Sequence, residues 1–145
     1  MRHLILLPAL ALWPITAQAD VAISDGWARA SILASRPAAA YLTLQSDEED
    51  QLISVTTPIA GHVTIHGVET DANGVSRMSA IEALNLPSGE PVTLAPGGMH
   101  LMLMSLTEKL QEGTVLPLTL TFASGAKIEI SVPVLGPGAS GLREE

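Results

Sequence analysis

The sequence of 145 residues contains no cysteine, and aromatic residues make up only 3% of it. Without thiols the chain can form no disulfide, no thiolate zinc site and no His2Cys blue-copper centre. So few aromatic rings leave no stacking platform for nucleic-acid bases. Basic residues are also scarce: seven Lys and Arg stand against fifteen Asp and Glu, for a net charge of −8. This balance disfavours nucleic acid and anionic membranes as partners, whereas a basic protein or a cation is easier to accommodate.

Long hydrophobic runs are missing except at the N-terminus. Met1-Arg2-His3 is followed by an apolar stretch to Trp13, and Ala17-Gln18-Ala19 supplies the small residues of a cleavage site. The stretch is about ten residues long, roughly half of a membrane-spanning helix. The pattern predicts a signal peptide over residues 1–19, cut before Asp20, and a soluble mature protein in the periplasm, without membrane insertion. Loss of Arg2 lowers the basic count from seven to six and the net charge from −8 to −9.

The mature chain reads as β-structure throughout. Short alternating apolar runs are each stopped by Gly, Pro, Asn or Asp, and seven to nine such strands predict an antiparallel sandwich or barrel. The turn Asp71-Ala72-Asn73-Gly74 predicts a hairpin between residues 63–69 and 75–81. We expect one domain over residues 20–134. The Gly- and Pro-rich residues 135–145 are predicted to form a flexible tail.

Two histidines and two methionines stand out in this thiol-free chain: His66, Met78, His100 and Met102. Residues i and i+2 of a strand share a face, so His100 and Met102 project together. Leu101 of the same segment faces the other way, toward the core, which predicts that the His-Met pair looks outward. The predicted hairpin places His66 and Met78 on adjacent strands. The four side chains could therefore converge once the chain folds.

This donor set suits copper(I). The ion is soft and accepts thioether and imidazole at three or four positions, whereas copper(II) prefers nitrogen and oxygen. Zinc prefers carboxylate or thiolate to methionine. Of the neighbouring residues, His62 shares the strand parity of His66 but reads as a solvated loop histidine. Met99 and Met104 read as packing residues or as a collar around the site.

Two other classes of function stay open at this point. A metal-free exported sandwich, such as an adhesion or assembly module, predicts that His66 and Met78 lie far from His100 and Met102. Single methionines in strands are usually core fillers, which favours that alternative. An enzyme or a redox copper protein is disfavoured, because the chain has no thiolate, no nucleophile elbow and no acid/base cluster.

The sequence resembles the periplasmic copper chaperones of the PCu(A)C type, whose signature is H(M)-x10-M-x21-H-x-M. The spacing from His66 through Met78 to His100 and Met102 matches it, with Gly67 at the position of the optional methionine. The flanking segment Pro96-Gly97-Gly98-Met99 is also similar to the family. The resemblance covers residues 27–134. It implies a cupredoxin-like, Greek-key β-sandwich that binds one copper(I) at these four residues, catalyses no reaction and, we expect, is a monomer.

The resemblance also implies a recipient for the metal. Family members are associated with copper delivery to the CuA centre of cytochrome c oxidase, some of them beside a Sco-type protein that carries thiols. Some members have a His- and Met-rich tail for further copper. The last residues here, Gly141-Leu142-Arg143-Glu144-Glu145, contain neither residue type. A second site in the tail is therefore not expected.

Overall fold

The computed structural model describes residues 20–142, so the predicted signal peptide and residues 143–145 lie outside the described part of the chain. Within it the chain forms ten β-strands and no helix. They are β1 (Val21–Arg29), β2 (Ala38–Ser46), β3 (Asp50–Thr56), β4 (Ala60–Thr70), β5 (Ser76–Ile81), β6 (Leu84–Leu86), β7 (Pro91–Leu94), β8 (His100–Leu106), β9 (Val115–Phe122) and β10 (Lys127–Leu135). Accordingly, residues 20–142 contain no helix that could cross a membrane.

The strand count exceeds the predicted seven to nine because of β6. This strand has three residues, too few to show an alternating pattern, and it pairs with β3 through Asp50 and Leu52. The predicted hairpin is confirmed: β4 and β5 pair antiparallel from Ile65 opposite Ile81 to Thr70 opposite Ser76.

Two layers make up the sandwich. The first runs β5-β4-β8-β2-β1, with β7 also paired to β2, and the second runs β10-β9-β3-β6. A short parallel pairing joins β1 to β10, Ala28 opposite Val134 and Arg29 opposite Leu135. The all-β sandwich is therefore confirmed, although this parallel pair departs from the antiparallel pattern that we expected throughout.

Alternation on the strands puts one aliphatic row of each layer into a shared core. On β9, Leu118, Leu120 and Phe122 are almost fully buried, and on β8 Leu101 and Leu103 are completely so. β2 contributes Leu42 and Leu44. Because the leucines of β8 fill the core, the residues between them must lie on the opposite, outer face of the first layer.

Asp50 is a buried carboxylate that ties β3 to the β9–β10 turn. It accepts hydrogen bonds from the Gln51 backbone N–H at 2.8 Å, the Ser124 N–H at 3.0 Å and the Ser124 hydroxyl at 2.7 Å. Burial by itself would raise the pKa of Asp50, but the hydrogen bonds from Ser124 and Gln51 outweigh it and lower the pKa. The group is fully satisfied and stays ionised at neutral pH.

Beyond β10 the chain turns back toward β1. The Arg29 guanidinium donates to the Ala139 carbonyl oxygen from Nε at 3.1 Å and from Nη2 at 2.8 Å. Strand β10 continues to Leu135, one residue past the predicted domain boundary. The flexibility of residues 135–145 stays a prediction.

Candidate metal centre

The four predicted ligands lie on three adjacent strands, β5, β4 and β8. His66 is directly opposite His100, and Thr64 is opposite Met102. Met78 is opposite Val68. Residues paired across a sheet share a face, and residues two apart on a strand share it too. All four therefore lie on one face of the first layer, within two rows of one another.

The two imidazoles face each other closely. Their ring centroids are 5.5 Å apart and the ring planes are inclined at 59°. A ring nitrogen about 2 Å from a metal ion puts its ring centroid roughly 3 Å from that ion. Two centroids 5.5 Å apart then subtend roughly 130° at a shared ion, an angle between those of tetrahedral and linear coordination. The separation suits one ion held between the rings.

The tautomer of His100 follows from its hydrogen bond. Its Nδ1 lies 3.2 Å from the Gly98 carbonyl oxygen, which can only accept, so Nδ1 carries the proton. In the neutral ring the lone pair then belongs to Nε2. A backbone carbonyl that fixes a histidine in this way is the usual outer partner of a metal ligand.

His100 is more buried than predicted. It shares the outer face with Met102, as expected, but only 6% of its surface is exposed. Outward-facing here does not mean solvent-exposed, because Gly98 of the preceding turn and the His66 ring of β4 both lie against the His100 ring. Tyr41 of β2 lines the same cleft and narrows it further.

His66 carries unused hydrogen-bonding capacity. Its Nδ1 is buried and has no hydrogen-bond partner within residues 20–142, and the same holds for the Thr64 hydroxyl two residues away. A buried polar atom without a partner costs free energy, which a bound metal ion or water would offset. Sequence reasoning missed Thr64, because a threonine in a strand carries no signal of its own.

The two methionines differ in exposure. Met78 lies on the edge strand β5 with 65% of its surface exposed, whereas Met102 is half-buried between β4 and β2. The Met78 thioether is thus mostly in solvent, whereas the Met102 thioether has less room to change rotamer.

A cleft of about 500 Å³ adjoins the site, lined by Met78 and His100 of the four predicted ligands but not by His66 or Met102. None of the described residues that line it is acidic, and two of them, Arg29 and Arg77, are basic. Arg29 lies 5.8 Å from the centre of the Trp27 ring and 5.7 Å from that of Tyr41. These two rings are buried but lie outside the main core cluster, and Tyr41 lines the cleft.

Among the described residues, this face has no cluster of the carboxylates that harder cations prefer as ligands. Within residues 20–142 no three His, Cys, Asp or Glu side chains come together to hold a metal ion. Beside the two imidazoles, the predicted set offers methionine sulfur on this face, which favours a soft ion.

The residues next to the predicted ligands lie on either the core face or the outer face of the first layer. Gly67 points to the core side, where an added Cβ would lie 2.7 Å from Ile81 Cδ1. Met99 packs against the core, as one of its two predicted roles required. Met104 is half-buried on the outer face, opposite the exposed His62.

The metal-free alternative required the His66–Met78 and His100–Met102 pairs to be far apart, and they are adjacent. The role of the four residues as ligands stays a prediction.

Comparison with known proteins gives the context of this site. A family model described as "Putative lipoprotein LpqE-like" matches residues 21–134. "Putative lipoprotein Lxx21020" of Leifsonia xyli subsp. xyli (strain CTCB07) is 31% identical over 130 residues, which cover 88% of this chain and 77% of that protein.

Solved structures similar to this chain include domains described as PCuAC. The copper-bound PCuAC domain from PmoF2 is 26% identical with a TM-score of 0.68, over 83% of this chain and 97% of that one. The apo PmoF2 domain has a TM-score of 0.69 at 25% identity, over 87% and 98% of the two chains. The solution structure of CuI-DR1885 from Deinococcus radiodurans is 28% identical, with a TM-score of 0.58 over 78% of each chain. The resemblance to the PCu(A)C type and its fold is confirmed, and the chain belongs to the LpqE-like family.

Proposed function

We propose that this protein is an exported copper(I) carrier, which binds one ion through His66, Met78, His100 and Met102 and passes it to an acceptor protein. The observation that carries the proposal is the β4–β8 register, which sets His66 opposite His100 on the face that also holds both methionines. Copper-bound structures of PmoF2 and DR1885 domains with this fold support it. Both are at least 26% identical to this chain.

The ligands divide into a fixed set and a movable one. His100 is held by Gly98 and by burial, so it stays in place when the metal leaves, whereas the half-buried Met102 keeps some freedom to change rotamer. Met78 is exposed on an edge strand and can be displaced first by an incoming donor. Transfer by stepwise ligand exchange needs no redox change and no acid/base group. The protein therefore works as a carrier and catalyses no reaction.

The proposed recipient is the CuA-bearing subunit of cytochrome c oxidase, with a Sco-type thiol protein as a further partner. The chain has no thiol of its own to reduce that centre. The predicted signal peptide supports a periplasmic location, and the description of the family as lipoproteins supports export.

Anaerobic titration with copper(I) against a chromophoric competitor tests the binding proposal. We expect one tightly bound equivalent for the wild type and its loss in the His100→Asn/Met102→Leu double variant. Met99→Leu is the matched control, because Met99 packs against the core. A tight equivalent that survives the double variant, or its absence from the wild type, would overturn the proposal.

The recipient is tested separately by mixing the copper-loaded carrier with a soluble apo CuA domain. Formation of the purple CuA spectrum at the expense of carrier-bound copper supports the proposed recipient. If no copper is transferred to a CuA domain whose copper affinity matches that of the carrier, the proposed recipient is rejected. The proposal that the carrier binds copper is not affected by that result.

A further inference from the structure

A second soft-donor pair lies on the same face as the proposed copper site. His62 of β4 is directly opposite Met104 of β8. Both residues have the strand parity of the predicted ligands, because positions 62, 64 and 66 alternate with the core positions, as do 100, 102 and 104. His62 is exposed and Met104 is half-buried, so an ion can reach them from solvent.

The two soft-donor pairs are close enough to share a ligand. Directly opposed side chains have Cβ atoms about 5 Å apart, and the next row on the same face is about 7 Å away. Met102 occupies the row between the His66–His100 pair and the His62–Met104 pair. Its unbranched thioether can turn toward either. The outer face thus carries a continuous line of imidazole and thioether donors along β4 and β8.

The backbone beside the second pair is strained. Ser105, directly after Met104, has a φ of 54°, in the left-handed region that favours glycine. A residue in this conformation is unfavourable and persists only where its surroundings enforce it. Gly61, directly before His62, leaves room for the Ser105 side chain, since a Cβ added at residue 61 would lie 3.0 Å from Ser105 Cβ. Strain of this kind clusters at functional sites.

We infer that His62 and Met104, with Met102 as a shared third donor, form a second and weaker copper(I) site. The inference rests on the proposed function, because it assumes copper(I) as the cargo. An ion held by two or three exposed donors binds less tightly than one held by four, so this site fills second. It gives copper a staging position from which Met102 can draw the ion toward His66 and His100.

Thr64 fits this arrangement. It lies between His62 and His66 on β4 and opposite Met102, and its buried hydroxyl has no hydrogen-bond partner within residues 20–142. The small side chain leaves room for the Met102 thioether to swing. A larger residue would separate the two sites.

Methyl-labelled methionine provides the test. The purified exported protein, labelled with ¹³C at the methionine methyls, is titrated with silver(I), a closed-shell substitute for copper(I), and then with copper(I) under anaerobic conditions. We expect the first equivalent to shift the Met78 and Met102 signals. The second equivalent, bound at least tenfold more weakly, shifts Met104 and again Met102. Met99, packed against the core, is the internal control.

Two variants sharpen the experiment. His62→Asn replaces an exposed side chain and should weaken the second equivalent at least tenfold without altering the first. Met104→Leu, which conserves volume, should do the same. A Met104 signal unmoved through two equivalents in the wild type, or moved equally in His62→Asn, overturns the second site. A first equivalent that fails to shift Met78 and Met102 overturns the proposed function instead, so the two failures are distinguishable.

Discussion

Two buried polar groups, the carboxylate of Asp50 and the Nδ1 atom of the half-buried His66, have opposite surroundings in the same sandwich. Asp50 accepts three hydrogen bonds from Gln51 and Ser124, and those bonds lower its pKa against the effect of burial. His66 Nδ1 is buried without a partner among the described residues. The first arrangement is typical of a group that stabilises the fold. The second leaves bonding capacity unused in the protein alone, as a binding site for an external ligand requires.

The largest expected effect comes from removing the unsatisfied imidazole. His66→Leu deletes a proposed ligand, and copper(I) affinity should fall by about 100-fold or more, beyond the 10–100-fold typical of outer-shell changes. The free energy of unfolding of the metal-free protein should stay within about 1 kcal/mol or rise, because no hydrogen bond is lost. Competitor titration and urea unfolding measure the two quantities. A large loss of metal-free stability would show that His66 is structural.

The opposite outcome is expected at Asp50. Asp50→Asn removes the charge and places an amide NH2 where Oδ2 accepts the Ser124 hydroxyl, while its amide oxygen can still accept the Gln51 and Ser124 N–H groups, so the free energy of unfolding should fall by about 1–2 kcal/mol. Copper(I) affinity should not change. Urea unfolding of the metal-free variant measures the first quantity and competitor titration the second. Weakened copper binding in a folded Asp50→Asn protein would break the distinction between the two residues.

Gly67 lies on the core face of β4, opposite to the face that carries His66. Gly67→Met installs the methionine that the signature allows at this position, but the side chain points toward Ile81 on the core side. We expect overpacking to lower the free energy of unfolding by about 1–2 kcal/mol and copper affinity to stay unchanged. Gly67→Ala is the smaller control. A clear gain in affinity would show that residue 67 reaches the metal after all.

The smallest effect is the acid dependence of stability from Asp50. Its pKa is lower in the folded protein than the ordinary 3.8, so the stabilisation is complete above that value. It is lost as the pH falls through the lower, folded value. Asp50→Asn should therefore differ less from wild type in strong acid than at neutral pH. A difference that stays constant down to pH 2 would contradict the lowered pKa.

The sequence predicted what depends on local pattern. The β4–β5 hairpin follows from the turn Asp71–Gly74, and the shared face of His100 and Met102 follows from strand alternation. The pairing of His66 with His100 could not be derived, because it depends on the register between strands distant in sequence. Burial of His100 depends on the turn above it and on a neighbouring strand. The parallel β1–β10 pairing and the unpaired Thr64 hydroxyl likewise arise only from tertiary packing.

Met78 stands on the outermost strand of its layer, with most of its surface in solvent. Its sulfur can therefore swing away by turning a few side-chain bonds, while the sandwich behind it keeps its packing unchanged. In the proposed carrier, Met78 is therefore the ligand that can leave the ion first. Opening the site requires only a rotamer change, so the hold on the ion can be strong at rest and still yield quickly on contact with an acceptor.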